Sequence, residues 1–471
     1  MSERERFNSL VRKWQPDHHA FFERPHVTRR RFFRTLSGVG GFVLADPLAR
    51  GETQSAGAVQ TRNTAKSVIF LFLRGAPSHV DTFDFKELSG VTPRDFAPET
   101  FNGVRLPTKL LGNTARVLDK ITIVRSGLAW ARAHNLAQTW MQIGRNPASA
   151  TGRIAPHIGS IVAIEKEPER GPDQAFPTFI SLLASNISGP GYLPVEYGPF
   201  QTSPSTDGLI NANHAPGREV FEERWSLLHE IDSELRGEGS PFGGKATGMG
   251  GLYGNARRLM FNPKAEAGFS FGLEESLRYG DSDFGDAVLT ARKIVEQDQG
   301  TRFIQVDSVG WDHHADIYAG EYAERSIYAQ TAQFDPAFAA LIEDLDASGK
   351  LADTLVVACG EFGRTPGNLS VSRVGRDHFQ QMFYVLAGGG IRGGQVIGAT
   401  NDQGGTPGAF TTEPGWYRDR DIRPEDIEAT IYSALGIDWT TIRYDDPLGR
   451  GYYYVPLAKE DAYAPVEELW G

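Results

Sequence analysis

Short unbroken apolar runs alternate along this chain with segments whose apolar residues recur every third or fourth position. The runs SVIFLFL (67–73), ITIV (121–124), FIQVD (303–307), TLVVAC (354–359) and MFYVLA (382–387) are short and mostly unalternating, the pattern of strands buried on both faces. Such strands require helices on both sides of a sheet. Phe221, Trp225, Leu228, Ile231 and Leu235 keep helical spacing, as do Phe334, Phe338, Leu341 and Leu345, and both segments are expected to cover that sheet. Pro336 either begins a helix or kinks one. A third helix is expected from about 424 to 435, with Pro424 in its first turn and Gly436 as its stop. Two stretches, 183–218 and 237–285, are broken by Gly, Pro, Ser and Asn and read as ordered excursions or lids. From residue 59 to 471 the chain reads as a single α/β domain with these two insertions.

Composition narrows the classes. Hydrophobic content of 40% and charged content of 23% exclude a disordered chain. The 53 glycines and 27 prolines supply the ordered loops that a loop-built site requires. A net charge of -11 gives no electrostatic basis for nucleic-acid binding. The single cysteine, Cys359, excludes an internal disulfide and a multi-cysteine zinc site, and its place in TLVVAC makes it a buried strand residue.

At the N-terminus, Thr28-Arg29-Arg30-Arg31-Phe32-Phe33-Arg34 precedes the modestly apolar LSGVGGFVLA at 36–45. The order of paired arginines, Phe32 and apolar run resembles a twin-arginine export signal, so residues 1–58 are expected to be a leader, with either Ala56-Gly57-Ala58 or a position near Ala45 as a small-residue cleavage site. The alternative is a basic surface helix. Ten apolar or small residues are too few for a stable membrane span. The expected partner is the twin-arginine export machinery, and the expected location is periplasmic or extracellular.

Chemistry concentrates in GWDHHAD (310–316), GEFGRTP (360–366) and GRDHF (375–379). The first two follow apolar runs, which puts Asp312, His313, His314 and Asp316, then Glu361 and Arg364, at strand ends, where open α/β sheets collect ligands. Arg376, Asp377 and His378 stand just before the last run. An Asp-His-His set suits zinc or another divalent metal with an open position, and arginines beside it suit an anionic substrate held bidentately. Solvated loop charges and structural ion pairs are the competing explanation. Ser78, His79 and Asp81 follow the first run and fit a structural polar turn as well as a catalytic group. His134 precedes an expected helix that ends at Gly144-Arg145; a helix N-terminus favours bound anions, but a histidine simply hydrogen-bonded near the cap is the reading the residues alone favour.

Taken together, LRGAPSHVDTFD, GWDHHAD, GEFGRTP, GRDHF and AGGGIRGGQVIGAT resemble the twin-arginine-exported domain-of-unknown-function 1501 family, placed with the sulfatases in the alkaline phosphatase-like superfamily. That resemblance implies an α/β sandwich with a mostly parallel central sheet, divalent metals at strand ends, and hydrolysis of phosphate or sulfate esters through a covalent intermediate. By it, Asp312, His314 and His378 stand for the metal site, Glu361 is a further metal-binding acid, and Arg364 and Arg376 orient the anion. His134 falls at the nucleophile position, where no Ser, Thr or Cys stands. Arg74-Gly75 replaces an expected strand-end Asp, and Phe362 an expected His, so a second metal site is compromised. The function expected is an exported metal-dependent hydrolase acting on an anionic small-molecule or polysaccharide ester. The alternative is a non-catalytic envelope binding or assembly protein that retains the fold.

Overall fold

The computed structural model of the chain describes residues 5, 6, 9 and 59–471, apart from 185, 214, 237–243, 320–325, 367–373, 406–411 and 414. The expected leader, 1–58, lies outside the described residues except for Glu5, Arg6 and Ser9. Among the described residues eight strands form one sheet: β1 Ser67–Leu73, β2 Ile121–Leu128, β3 Phe179–Leu182, β4 Phe200–Thr202, β5 Phe303–Ser308, β6 Thr354–Cys359, β7 Gln381–Ala387 and β8 Gln395–Ile397. Their spatial order is β8-β2-β7-β6-β1-β5-β3-β4. β7 runs antiparallel to β2 and β6, while the other pairings are parallel. All five apolar runs became strands of this sheet, and every residue of β1, β5, β6 and β7 is buried. The short strands β3, β4 and β8 escaped the pattern.

Seven longer helices among the described residues surround or extend the sheet: α1 His134–Ile143, α2 Ile158–Lys166, α3 Arg218–Arg236, α4 Gly244–Leu259, α5 Asp283–Gln297, α6 Ile327–Ala347 and α7 Pro424–Ala434. Successive strand side chains point to opposite faces. Ile69, Leu71, Ile304, Val306, Val356 and Ala358 therefore meet α5 and α6, while Val68, Phe70, Phe72, Leu355, Val357 and Tyr384 meet α1, α2 and α7. Burying a Leu, Ile or Phe side chain of this kind stabilises by about 1.5–3 kcal/mol, so loops leaving the strands start from a rigid frame.

The expected third helix is α7. Pro424 sits in its first turn, Arg423 N donates to Asp426 Oδ2 at 2.9 Å, and Gly436 follows with φ +75°. In α6 the Ser326 side chain accepts from Ala329 N at 3.2 Å, so the helix begins there and Pro336 lies in its interior rather than at its start. An interior proline costs about 3 kcal/mol. Burial of Phe334, Phe338, Leu341 and Leu345 offsets it.

α3 has the expected helical spacing but does not cover the sheet. Phe221 and Trp225 pack on each other, on Phe261 and on Tyr253 of α4, leaving Leu228 37% and Ile231 63% exposed. The stretch 237–285, expected to be broken, carries α4 and two short helices, Pro263–Phe269 and Leu273–Arg278. Glycine serves close approach here: a Cβ on Gly248 would lie 2.6 Å from Val195 Cγ2, and one on Gly251 3.0 Å from Glu196 Cβ. No helix among the described residues is long and apolar enough to cross a membrane.

Candidate metal centre

Four chain segments converge beyond the ends of β1, β5 and β6. After β1 the chain turns at Gly75, whose φ is +108° and whose added Cβ would lie 2.5 Å from Asp312 N, so only glycine lets the two loops touch. Beyond β5 comes the loop bearing Asp312, and beyond β6 comes Glu361, which is buried. The chain then pairs Gly363–Arg364 antiparallel with His378–Phe379, setting His378 opposite Arg364. Finally, His134 opens α1 rather than preceding it.

His134, Asp312 and His378 form the tightest group. One donor atom from each lies within 4.8 Å of the others. His134 donates from Nδ1 to Glu361 Oε1 at 2.6 Å, and its Nε2 lies 3.2 Å from Asp312 Oδ1 without the alignment of a hydrogen bond. His378 donates from Nδ1 to the carbonyl of Arg132, and its Nε2 is buried with no hydrogen-bond partner. Each ring thus has one nitrogen tied to a protein acceptor and the other facing the group. That is how metal-binding histidines are held, because the tied nitrogen fixes tautomer and orientation.

The remaining expected site residues surround this group. Glu361 Oε1 accepts from Gly75 N at 3.1 Å and from Gln138 Nε2 at 2.9 Å as well as from His134, while Oε2 shares the Gly75 N at 3.2 Å. His314 Nδ1 is 2.6 Å from Asp312 Oδ1, and its Nε2 is 3.6 Å from Asp377 Oδ1. Arg364 is fully buried: it donates to the carbonyls of Gly75, Ala76 and Arg376 and to Asp312. Arg376 is fully buried too, pairing with Asp81 at 2.7 Å and donating to Tyr318 and the Thr365 carbonyl. Both arginines are therefore engaged in holding loops.

Electrostatics follow from these contacts. Burial opposes a charge on His134, but the Asp312 and Glu361 carboxylates outweigh it and raise the imidazole to about 9, so without an ion the ring is protonated at pH 7 and taking one at Nε2 requires release of that proton. Burial would likewise raise Asp312, yet His134 and Arg364 hold it below the usual carboxylate range. His378 is pushed down to about 4 by burial and by the neighbouring Arg364 and His134, so it is a neutral donor at pH 7.

Beside the group lies a buried ion pair. Arg74 Nη1 is 3.1 Å from Asp307 Oδ2, and its Nη2 donates to Gln138 Oε1 at 2.7 Å. Gln138, one helical turn after His134, thus links Arg74 to Glu361. Farther in, Gln305 Nε2 donates to Asp307 Oδ1, and His157 Nε2 donates to Gln305 Oε1 at 2.8 Å. Neither Gln138 nor the carbonyl of Arg132 was among the residues singled out in the sequence. The i, i+4 spacing from His134 to Gln138 was a usable signal, whereas a backbone carbonyl leaves none.

Other motif residues go elsewhere. Ser78 donates to Asp81 Oδ2 at 2.6 Å while His79 Nε2 meets the Gly404 carbonyl, so the three side chains build a polar turn and no triad. His313 is buried and pushed down to about 4 by that burial. Asp316 adopts φ +57° and its carbonyl accepts from Ala319 N, which makes it a turn residue. Cys359 is buried in β6.

No curated protein matches the chain. Among solved structures it is similar to a sulfatase from Pseudoalteromonas sp., at 13% identity over 79% of this chain and 68% of that one, with a TM-score of 0.38. It is also similar to the lipoteichoic acid synthase LtaP from Listeria monocytogenes, at 10% identity over 86% and 79%, TM-score 0.36. A third likeness is to the alkaline phosphatase from the Antarctic bacterium TAB5, at 14% identity over 69% and 91%, TM-score 0.31. Residues 65–452 match the family described as "Protein of unknown function (DUF1501)", and the chain belongs to that family.

Proposed function

We propose that this chain is an exported hydrolase of phosphate or sulfate esters in which His134, Asp312 and His378 hold a divalent ion, zinc being the candidate. The observation that carries the reading is the buried, unpartnered Nε2 of His378, which shares its space with His134 and Asp312 while both rings are tied at Nδ1. Two imidazoles and a carboxylate fit zinc and leave a position open. When bound, the ion supplies positive charge for an anionic ester oxygen and acidifies water.

The protein side chains have separate tasks. Glu361 fixes the His134 ring, and Arg364 fixes Asp312. Arg376 anchors the same loops through Asp81. In this reading His314, half exposed at the rim, gives a proton to the departing ester oxygen. With His134 serving the ion and no hydroxyl at its position, water is the nucleophile in this reading, without a covalent ester intermediate.

A second reading, a non-catalytic envelope binding or assembly protein, draws on the buried Arg74–Asp307 pair, which fills a strand end with a fixed cation. Hydrolysis of aryl phosphate and aryl sulfate by protein purified without chelator separates the two. The enzyme reading expects turnover that His378→Ala abolishes. Bound metal with no turnover of either ester supports the second reading.

A further inference from the structure

A second site of recognisable chemistry lies away from the metal centre, where the start of α3 meets the end of α4. Arg218, Phe221, Glu222, Trp225, Arg257 and Arg258 line a groove of about 610 Å3 there, with Phe261 in its floor. The size is within the range of small-ligand sites. Phe221 and Trp225 pack at 6.1 Å between ring centroids and Phe221 and Phe261 at 5.7 Å, a half-buried aromatic floor beneath exposed guanidiniums. Arg257 pairs with Glu222 at 2.5 Å and stands over the Trp225 ring. Among the described residues the guanidiniums of Arg218 and Arg258 have no hydrogen bond or ion pair, and Arg258 is close enough to Arg170 to disfavour that residue's charge.

The local charge is the reverse of the whole. The chain carries -11 overall, yet three arginines face a single glutamate in this groove. Such a surface selects a ligand that brings negative charge to the guanidiniums and a flat apolar face to the rings. A sugar ring offers that face through its axial C–H groups, and a sulfate or phosphate ester on it offers the charge.

We propose that this groove binds a sulfated or phosphorylated saccharide, holding a unit of a polymeric substrate that is not the one being hydrolysed. The assignment rests on the ester-hydrolase reading for its biological sense. The binding itself needs no turnover. It names the substrate class as an anionic saccharide chain rather than a small free ester.

The test is equilibrium binding of a size-defined dextran sulfate oligosaccharide to wild type, to Arg218→Glu/Arg258→Glu and to His378→Ala. Neutral dextran and single-stranded DNA of equal length are the comparison probes. Both substituted arginines are exposed, and a thermal melt checks that the variant folds. Expected is binding of the sulfated oligosaccharide over both comparison probes, weakened roughly ten- to a hundredfold per guanidinium in the charge-reversed protein and unchanged in His378→Ala. Turnover of a small aryl ester, where wild type has it, stays the same in the charge-reversed protein. Equal binding to wild type and the charge-reversed protein overturns the proposal, as does equal or tighter binding of single-stranded DNA. Sulfated-oligosaccharide binding with no ester turnover in wild type supports the groove and counts only against the enzymatic reading.

Discussion

His134 and His378 differ from Arg74 in how their nitrogens are used, although all three stand at the same end of the sheet. Each histidine gives Nδ1 to a protein acceptor and keeps Nε2 turned toward the shared space. Arg74 instead closes on Asp307 and Gln138 within the protein. One side turns two imidazole nitrogens and a carboxylate toward a shared space, and the other closes a guanidinium on a buried carboxylate. The Arg74 guanidinium compensates the buried Asp307 carboxylate at this strand end. Asp307 has its carboxyl pushed up by burial, and the Arg74 guanidinium and the Gln305 amide act against that.

Removing the built-in cation is the strongest way to break this comparison. Arg74→Ala leaves the Asp307 carboxylate buried without its partner, and loss of one member of a buried pair costs about 3–5 kcal/mol. Urea denaturation should show a shift of that size. Arg74→Met combined with Asp307→Leu should recover most of it, since no charge is then left buried.

The far end of the same polar chain gives a pH signature. His157 accepts from Gly159 N at Nδ1, donates to Gln305, and is pushed by burial down to about 3 from an ordinary value of 6.5. The unfolded chain therefore binds a proton that the folded chain refuses. Stability should be at its plateau above about pH 6.5 and fall by a few kcal/mol as pH drops toward 3. His157→Gln should flatten the slope of unfolding free energy against pH within that window. An unchanged slope would mean that other groups govern acid sensitivity.

A smaller effect is expected at the bridge between the two sides. Gln138→Leu removes the donor to Glu361 and the acceptor for Arg74, leaving all three members of the metal group in place. Loss of a supporting partner of this kind should lower metal affinity about 10- to 100-fold, measured by competition with a chromogenic chelator. Affinity equal to wild type would remove Gln138 from the account.

The frame was legible because its signal is local. Five short, mostly unalternating apolar runs suit strands covered on both faces, and they lie in such strands. β4 has three residues with Gln201 exposed, too short to show a period. α4 was hidden by glycines at 244, 248, 250, 251 and 254. What makes it a helix there is contact with Val195 and Glu196, a tertiary fact absent from its own sequence. α3 shows the converse, since its spacing predicted a helix but could not say that its partner was α4 rather than the sheet.

At the site, residue types were readable and roles less so. Asp312 and His378 meet as expected, yet their third companion is His134, more than 170 residues earlier in the chain. Arg364 and Arg376 looked like anion clamps because arginine beside carboxylates suits either task. Only their carbonyl partners reveal the loop-holding one.

Elemental analysis of chelator-free protein, with His378→Ala alongside and folding verified by circular dichroism, tests the central claim most directly. The account predicts about one divalent ion per chain in wild type. In the variant it predicts a loss to background, because the unpartnered Nε2 is gone. Wild type without metal, or a variant that retains it undiminished, would contradict the assignment of His134, Asp312 and His378 as a metal centre.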